Sequence, residues 1–531
     1  MKRNISRLFL GLCCSASVLM SGCIEETIPT DVASDEQLSS SSKATESLLW
    51  AMPAILNKFA TISEDEHYDW GYGSIMHIRD LMTDDMAVIS SGYDWYTPWE
   101  QNQGLGESYA RPQFIWNYYW KAIQTTNNLI TAVDPESAND AQKGYLGAAY
   151  AFRALFYLDM AQMFEFLEND KISPVNASGN NVKGLTVPIV REGITEEQAR
   201  NNPRVPREKM AEFILEDLNN AEQFIPNLDM ETKTLPHLDV VYGLKARYYM
   251  WLGDYPNAKD FARKAITETN TRPMTEDECL NTTKGFNDIS RWMWGSQMVA
   301  EDEVVKTGIL NWTSWMSNET TFGYSSQEPF IMINKALYDK MNDTDFRKKM
   351  WKAPEGGAME DKVAFIDPVA SEKLSEYSSV KFRPAEGNTE DHNVGAATAY
   401  PLMRVEEMYF IEAEAAAHIS GDASLINDFM KTYRDPDYNT FAIGDALVNE
   451  IVTQKRIELW GEGLSFYDFK RLNISVTRGY DGTNFSEACR FNTNGRPAWM
   501  NFCIVQTEKN NNAALIGFEN PDPSDCYTPV K

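Results

Sequence analysis

The sequence predicts an all-α fold of packed helices, with loop-rich insertions and a few short strands. Apolar residues recur every three or four positions over residues 115–129 and again over residues 145–163, which is the spacing of one helix face. Over residues 239–266, large apolar side chains precede Gly253 and alanines follow it. That order is typical of two helices that are joined by a tight turn and pack closely.

The other elements are predicted from the same patterns. Residues 145–163 are apolar around most of the helix, so we expect that helix to be buried on nearly all sides. Residues 170–204 are rich in Asn, Gly and Pro and predict a loop, whereas residues 208–224 show a helical face again. Residues 271–390 predict short strands, turns and loops, with one short helix near residues 337–341.

The helix pair at residues 239–266 resembles a tetratricopeptide unit, in which large residues of one helix pack against small residues of the next. Such a pair cannot bury its apolar face alone, so other helices must stack on it. The candidates are residues 114–163, 208–224, 402–418 and 446–471. The sequence therefore predicts a tetratricopeptide-like helical scaffold that carries the loop-rich insertions.

The first residues predict export and lipidation. Residues 1–22 have a cationic start, a short apolar stretch and small residues at the end, as in a secretory signal peptide. The small residues directly before Cys23 resemble the lipobox of bacterial lipoproteins, so we expect acyl chains such as palmitate on Cys23. Plain cleavage, with Cys23 an ordinary thiol, is the alternative. Residues 23–45 are polar and predict a flexible tether to the outer membrane, with the acidic residues behind Cys23 favouring the cell surface.

The charge of the chain argues against one class of partner, and its cysteines leave two redox states open. The 531 residues contain 49 Lys plus Arg against 77 Asp plus Glu, a net charge of −28, and the longest basic run is residues 347–349. This balance argues against a nucleic-acid partner, which would need basic patches. Four cysteines follow Cys23, and they allow either two disulfides or free thiols. They are Cys279, Cys489, Cys503 and Cys526.

Motifs of known catalytic chemistry are absent from the sequence: there is no Walker loop, nucleophile elbow or His-Glu-x-x-His helix. Residues 435–439 match the start of a calcium-binding EF-hand loop but lack its turn glycine and closing glutamate. The adjacent carboxylates Asp84–Asp85 and Glu406–Glu407 could form an acid and base pair, but in so acidic a chain we interpret them as solvated surface. We expect no enzyme activity, no catalytic residue, no metal site and no cofactor.

Several blocks occur in a set order along the chain. They include WNYYWKAI at 116–123, AFRALFY at 151–157, YPLMRVEEMY at 400–409 and KRIELWGEG at 455–463. Together they resemble the SusD/RagB family of nutrient-uptake outer-membrane lipoproteins, the starch-utilisation-system D-like proteins. The resemblance implies an N-terminal SusD-like helical region over residues 46–270 and a C-terminal RagB/SusD region over residues 271–531. It also implies a scaffold that caps a TonB-dependent outer-membrane transporter and delivers glycans to it.

The last block carries many charges close together in sequence. We interpret them as scaffold that pairs across a helix end, rather than as a charged ligand site. The residues are Arg456, Glu458, Glu462, Asp468 and Arg471.

Two aromatic-rich segments are the candidate ligand-binding residues. A sugar offers flat C–H faces and a rim of hydroxyls, so its site needs exposed rings beside amide or acid groups. The candidates are Tyr93, Trp95, Tyr96 and Trp99 in the first segment and Trp312, Trp315 and Tyr324 in the second. The alternatives are rings buried in the core, with Trp312 and Trp315 on one helix face, or a patch that faces another protein.

The sequence thus predicts a glycan-binding lipoprotein of the cell surface that captures oligosaccharides and delivers them to a TonB-dependent transporter. Its partners would be that transporter, the oligosaccharide and, through the lipid anchor, the membrane. One alternative is a tetratricopeptide-like transporter lid that binds protein or peptide and no sugar. A surface glycosidase is a third hypothesis.

Overall fold

The computed structural model describes residues 42–89 and 92–531. The predicted signal peptide, Cys23 and residues 23–41 of the predicted tether lie outside the described residues. Lipidation at Cys23 therefore stays a prediction, as does the division of the chain at residue 270.

Long helices form the scaffold of the described chain. Those of ten residues or more are α1 (Ser42–Ile55), α2 (Tyr72–Leu81), α3 (Ala110–Ala132), α4 (Asp140–Phe164), α5 (Arg207–Phe224), α6 (Leu238–Leu252), α7 (Tyr255–Glu268), α8 (Val405–Ser420), α9 (Ser424–Tyr433) and α10 (Asp445–Glu458). The helices predicted from periodicity are confirmed at 114–129, 145–163, 208–224 and 239–266, and the all-α fold class is confirmed with them. No helix in the described ranges is long and apolar enough to cross a membrane.

Shorter elements fill the insertions. Short helices are Thr97–Glu100, Glu196–Ala199, Glu276–Leu280, Glu303–Lys306, Trp312–Met316, Lys335–Tyr338, His392–Gly395, Ser465–Arg471 and Gln506–Asn511. The strands are β1 (Met86–Val88), β2 (Trp294–Gln297), β3 (Ile331–Ile333) and β4 (Ala399–Met403). They pair antiparallel in two small sheets, β1 with β3 and β2 with β4.

Local sequence explains where these helices begin and how closely they pack. Asn139 caps α4, because its side chain accepts from the Gln142 amide at 2.9 Å while the Gln142 side chain accepts from the Asn139 amide at 3.2 Å. Gly253 ends α6 in the left-handed conformation, with φ at 73°. Gly147 lets the chain after α5 approach α4, since an added Cβ would lie 2.5 Å from the Ile225 amide nitrogen.

A helix from far downstream completes the stack. α8 packs on α7, the second helix of the tetratricopeptide-like pair. The rings of Tyr255 and His418 lie parallel at 3.8 Å, and Arg263 donates to both oxygens of Glu412. The predicted stacking of residues 402–418 on the pair is therefore confirmed.

A buried group of charges holds the C-terminal helices together. We call it the charge cluster, and its members are Lys381, Arg404, Glu406, Arg434, Glu458 and Glu462, each 6% exposed or less. Arg434 Nε lies 2.7 Å from Glu458 Oε2, Arg404 Nε lies 2.9 Å from Glu462 Oε2, and Lys381 Nζ lies 2.7 Å from Glu462 Oε1. Burial alone would raise the pKa of Glu458, but Arg434, Arg404 and Arg347 hold that pKa well below its usual range.

Two expectations about charges need correction. The adjacent carboxylates Asp84–Asp85 and Glu406–Glu407 are buried, not solvated. Arg456 pairs with both Asp84 and Asp85, at 2.5 and 2.6 Å. Its partners come from a segment some 370 residues away, and not from its own block as predicted.

The four cysteines after Cys23 are free thiols, and three of them are buried. The two-disulfide alternative is therefore wrong. Within the described ranges, no group of three or more His, Cys, Asp or Glu side chains is arranged to hold a metal ion.

Candidate ligand-binding site

Strand pairing brings the two predicted aromatic segments together. β1 directly precedes the first segment, β3 directly follows the second, and the register places Val88 opposite Ile331. A further backbone bond from the Ile89 amide to the Phe330 carbonyl, at 3.1 Å, extends this pairing towards the aromatic segments. Segments that are more than 200 residues apart in sequence therefore meet at one end of a small sheet.

Four of the predicted rings form one series, which we call the ring stack. Tyr93 lies over Tyr324 at 5.7 Å and 21°, and Tyr324 lies over Trp315 at 3.7 Å and 16°. Trp315 meets the edge of Tyr96 at 4.7 Å and 84°. The distances of 4.7 and 5.7 Å are those of favourable aromatic pairs, and Tyr324 and Trp315 lie closer still. Three of the four rings are buried, so the core holds them in place.

Trp95 joins the same site through a residue that the sequence analysis missed. Its ring lies over the His67 ring at 4.5 Å and 26°, and His67 Nδ1 hydrogen bonds with the Tyr324 hydroxyl. Tyr68 meets the edge of Trp99 at 5.0 Å. The segment at residues 64–70 mixes aromatic rings with acids, as the two predicted segments do, and that composition is a signal that could have found it.

Exposure divides the seven predicted residues. Tyr93 is 51% exposed and Trp95 is half-buried, so both can be reached from solvent. The expectation of exposed loop rings is wrong for the other five, which are buried: Tyr96, Trp99, Trp312, Trp315 and Tyr324. They are buried because their segments fold onto the core, largely as the short helices Thr97–Glu100 and Trp312–Met316.

Trp312 lies away from the ring stack. Its ring is parallel to that of Tyr400 at 4.9 Å and meets the edge of Phe382 at 5.1 Å, deep in the main core. The alternative that Trp312 and Trp315 share one short helix holds, and their side chains serve different parts of the molecule.

The inner end of the ring stack is fixed by hydrogen bonds. The Tyr96 hydroxyl accepts from Trp70 Nε1 at 2.8 Å and lies 2.8 Å from Ser74 Oγ. His77 meets the Tyr96 ring edge-on at 4.5 Å, and burial lowers the pKa of His77 to about 3. Burial likewise lowers the pKa of His67 and raises that of the Tyr324 phenol, so these groups are neutral at pH 7.

Polar residues neighbour the rings of the outer end in sequence. Asp94 Oδ1 accepts from the Tyr96 amide at 2.9 Å, and Ser326, Gln327 and Glu328 are exposed directly after Tyr324. Burial raises the pKa of Asp94 and of Glu100, and the neighbouring Asp94 charge raises that of Glu100 further. The site thus offers two accessible rings, a neutral aromatic support and a polar rim.

Comparison with protein families matches most of the chain. A family described as "Starch-binding associating with outer membrane" matches residues 31–250, and the SusD family matches residues 313–530. The chain belongs to the SusD/RagB family. A comparison with curated proteins found no match.

Solved SusD-like structures share the fold. A SusD-like carbohydrate binding protein from Bacteroides vulgatus superposes with a TM-score of 0.68 at 22% identity, covering 89% of this chain and 96% of that chain. A SusD superfamily protein from Bacteroides thetaiotaomicron gives 0.66 at 17% identity, with coverage of 88% and 98%. Surface glycan-binding protein A from Bacteroides fluxus gives 0.62 at 16% identity, with coverage of 89% and 97%.

Proposed function

We propose that this SusD-family chain is a glycan-binding lipoprotein of the cell surface, which captures oligosaccharides and delivers them to a TonB-dependent outer-membrane transporter. The observation that carries the proposal is the ring stack, with Tyr93 and Trp95 accessible in front of rings that the core holds in place. The family description and the structural similarity to the carbohydrate-binding protein of Bacteroides vulgatus and the glycan-binding protein of Bacteroides fluxus support it.

The chemistry of the site suits a neutral sugar. Flat ring faces cover the C–H faces of a pyranose, while the carboxylate, amide and hydroxyl groups of the rim accept and donate bonds to its hydroxyls. A rigid aromatic support lowers the entropy lost on binding, because the two outer rings need little ordering.

The same structure gives little support to a glycosidase. Glycoside hydrolysis needs two carboxyl groups that flank one sugar bond. The adjacent carboxylates of the sequence are instead engaged by arginines: Arg456 binds Asp84 and Asp85, and Arg247 binds both oxygens of Glu407. We therefore propose binding without turnover.

The binding test is a glycan array on the purified protein, followed by calorimetry with the best oligosaccharide. Trp95→Ala and Tyr93→Ala should each weaken binding about tenfold or more, roughly 1.4 kcal/mol, because each removes a ring that contacts the sugar. Trp50→Ala is the matched control, since Trp50 is an exposed tryptophan of α1, 41% accessible, outside the ring stack. Unchanged affinity in both site variants would remove these rings from the site, and no glycan bound by the wild type would refute glycan capture.

Membrane anchoring is tested separately. Cys23→Ser should move the protein from the membrane fraction to the soluble fraction, because acyl chains stabilise membrane binding by about 0.8 kcal/mol per buried methylene. Mass spectrometry of the wild-type N-terminal peptide should show the acylated cysteine. An unmodified Cys23 in membrane-bound protein would contradict the lipoprotein proposal, and co-purification with a TonB-dependent transporter tests the partner.

A protein partner is the second candidate function. Phe441 and Ile443, between α9 and α10, are 87% and 80% exposed, which is unusual for large apolar side chains. A transporter or a peptide could cover them. Calorimetry against a peptide panel discriminates the two: peptide binding that Phe441→Ser removes and Trp95→Ala leaves intact would favour the lid that binds no sugar.

A further inference from the structure

A cavity of about 250 Å³ is lined by residues that do not belong to the ring stack. It lies between the ends of α4 and α6 and the helix Ser465–Arg471. Its wall includes Trp251 and Tyr255. The volume is below the roughly 300–1,000 Å³ of sites for drug-sized ligands, so the cavity suits about one sugar residue.

The charges of this cavity contrast with those of the whole chain. Acids outnumber bases overall, 77 to 49, yet the cavity wall carries four cations and one carboxylate. The cations are Arg207, Lys470, Arg471 and Arg496, and the carboxylate is Glu165.

Two of the four cations are already compensated. Arg471 lies 2.5 Å from Glu414 and 2.6 Å from Asp468. Arg207 lies 3.4 Å from Glu165, which also accepts from Trp251 Nε1 at 3.1 Å. Each of these two cations therefore already has a carboxylate partner.

Lys470 and Arg496 donate to backbone carbonyls and, within the described chain, hydrogen bond to no carboxylate. Lys470 is 3% exposed, and its ammonium donates to the carbonyls of Met163 at 2.9 Å and Met500 at 2.7 Å. Arg496 donates from Nη1 to the Glu168 backbone carbonyl at 3.2 Å, while its buried Nε has no partner in the described structure. Burial lowers the pKa of both groups, and the nearby Glu165 carboxylate offsets only part of that effect, so burial still destabilises each charge.

A purely structural role explains only part of this arrangement. Met163 lies in the last turn of α4, where helix carbonyls favour a cation, so Lys470 also stabilises that helix end. This role leaves the Nε group of Arg496 without a function. An anion in the cavity would lie beside the half-buried Arg496 side chain and offset both charges at once.

We propose that this cavity binds the carboxylate or sulfate group of an acidic sugar. Arg496 and Lys470 bind the anion, and the rings of Trp251 and Tyr255 line the space for the sugar ring. That the ligand is a sugar rests on the proposed glycan function. That the ligand is an anion rests on the charges of the cavity alone. The chain thereby has a second ligand site, which selects for charge, in addition to the neutral ring stack.

The test is calorimetry at constant ionic strength with four probes: glucuronate, glucose 6-sulfate, glucose and inorganic sulfate. At least one of the two acidic sugars should bind, and glucose should not. The two sugar arms tell a carboxylate from a sulfate. Inorganic sulfate that binds as tightly as the acidic sugars would overturn the sugar part of the proposal, and absence of binding by both acidic sugars would overturn it entirely.

Variants locate the site. Arg496→Gln should weaken the acidic sugar at least tenfold, while Lys183→Gln should leave it unchanged. Lys183 is the matched control because its half-exposed side chain pairs with Glu168, whose carbonyl is also the partner of Arg496. Equal affinity in Arg496→Gln would place the anion elsewhere, and thermal unfolding of both variants shows that they are folded.

The outcome is separable from that of the glycan proposal. Binding of a neutral oligosaccharide that depends on Trp95, without binding of acidic sugars, would refute only the cavity. Binding of an acidic sugar that depends on Arg496, without a neutral glycan at the ring stack, would refute only the proposed site at the ring stack.

Discussion

The charge cluster and the ring stack are built from similar long-range contacts but differ in their exposure to solvent. Each joins segments that are far apart in sequence: Lys381 with Glu462, and Tyr93 with Tyr324. The charge cluster is closed, since all its members are 6% exposed or less and lie next to opposite charges. The ring stack instead runs from the fully buried Tyr96 to Tyr93, which is half exposed. A closed cluster stabilises the fold, whereas an open one also offers a surface to a ligand.

The largest expected effect on the free energy of unfolding comes from a change in the charge cluster. Glu458→Gln removes the carboxylate that Arg434 and Arg404 share, at 2.7 and 3.2 Å, and leaves these buried guanidinium groups with one counter-charge fewer. We expect a loss of about 3–5 kcal/mol in the free energy of unfolding, measured with urea.

The control is Glu196→Gln, in an exposed pair with Arg200 at 2.6 Å. Pairs of this kind contribute about 0.5 kcal/mol or less, so this change should be small. Equal losses in the two variants would show that the charge cluster is not a special source of stability.

The second effect is at the inner end of the ring stack and depends on pH. His77 has a folded pKa of about 3 and an ordinary value of 6.5, so between these values the unfolded state binds the extra proton. The contribution of His77 to stability therefore falls as the pH drops below 6.5, by about 2 kcal/mol at pH 5. His77→Gln should lose about that much less than the wild type between pH 7 and pH 5.

Tyr96→Phe is the control for this measurement. It removes the hydroxyl that binds Trp70 and Ser74 but keeps the imidazole beside the ring, so it should lower stability without changing the pH dependence. A wild-type pH slope in His77→Gln would show that another group is responsible.

The smallest effect on the free energy of unfolding is expected at Tyr93, the exposed end of the ring stack. Tyr93→Ala removes a half-exposed ring whose main described contact is Tyr324, so we expect the free energy of unfolding to change by about 1 kcal/mol or less. Urea unfolding measures it beside the glycan affinity. A large loss of stability would mean that Tyr93 belongs to the core and would weaken the contrast between the two clusters.

Helices could be predicted from the sequence because their signal is local. Large residues before Gly253 and alanines after it are enough to predict α6 and α7. The helix face at residues 208–224 is enough to predict α5. Long-range partners have no such signal. Nothing near Arg456 in the sequence indicates Asp84 and Asp85, so their burial could not be predicted.

The candidate site was predictable in composition but not in exposure. Aromatic residues beside polar ones identified both segments that the strands bring together. Whether a ring such as Trp99 faces solvent depends on the neighbours that it meets after folding, here Tyr68 from another segment. His67 was missed because a single histidine among acids carries no periodic pattern.

The position of α8 has a consequence for biosynthesis. α8 packs on α7 and ends about 150 residues after it, at Ser420. At about 5–20 residues per second, a ribosome needs roughly 8–30 s to make that stretch. During this interval the side of α7 that α8 later covers is exposed on the nascent chain. A holding chaperone can therefore bind this side of α7 until α8 has been made.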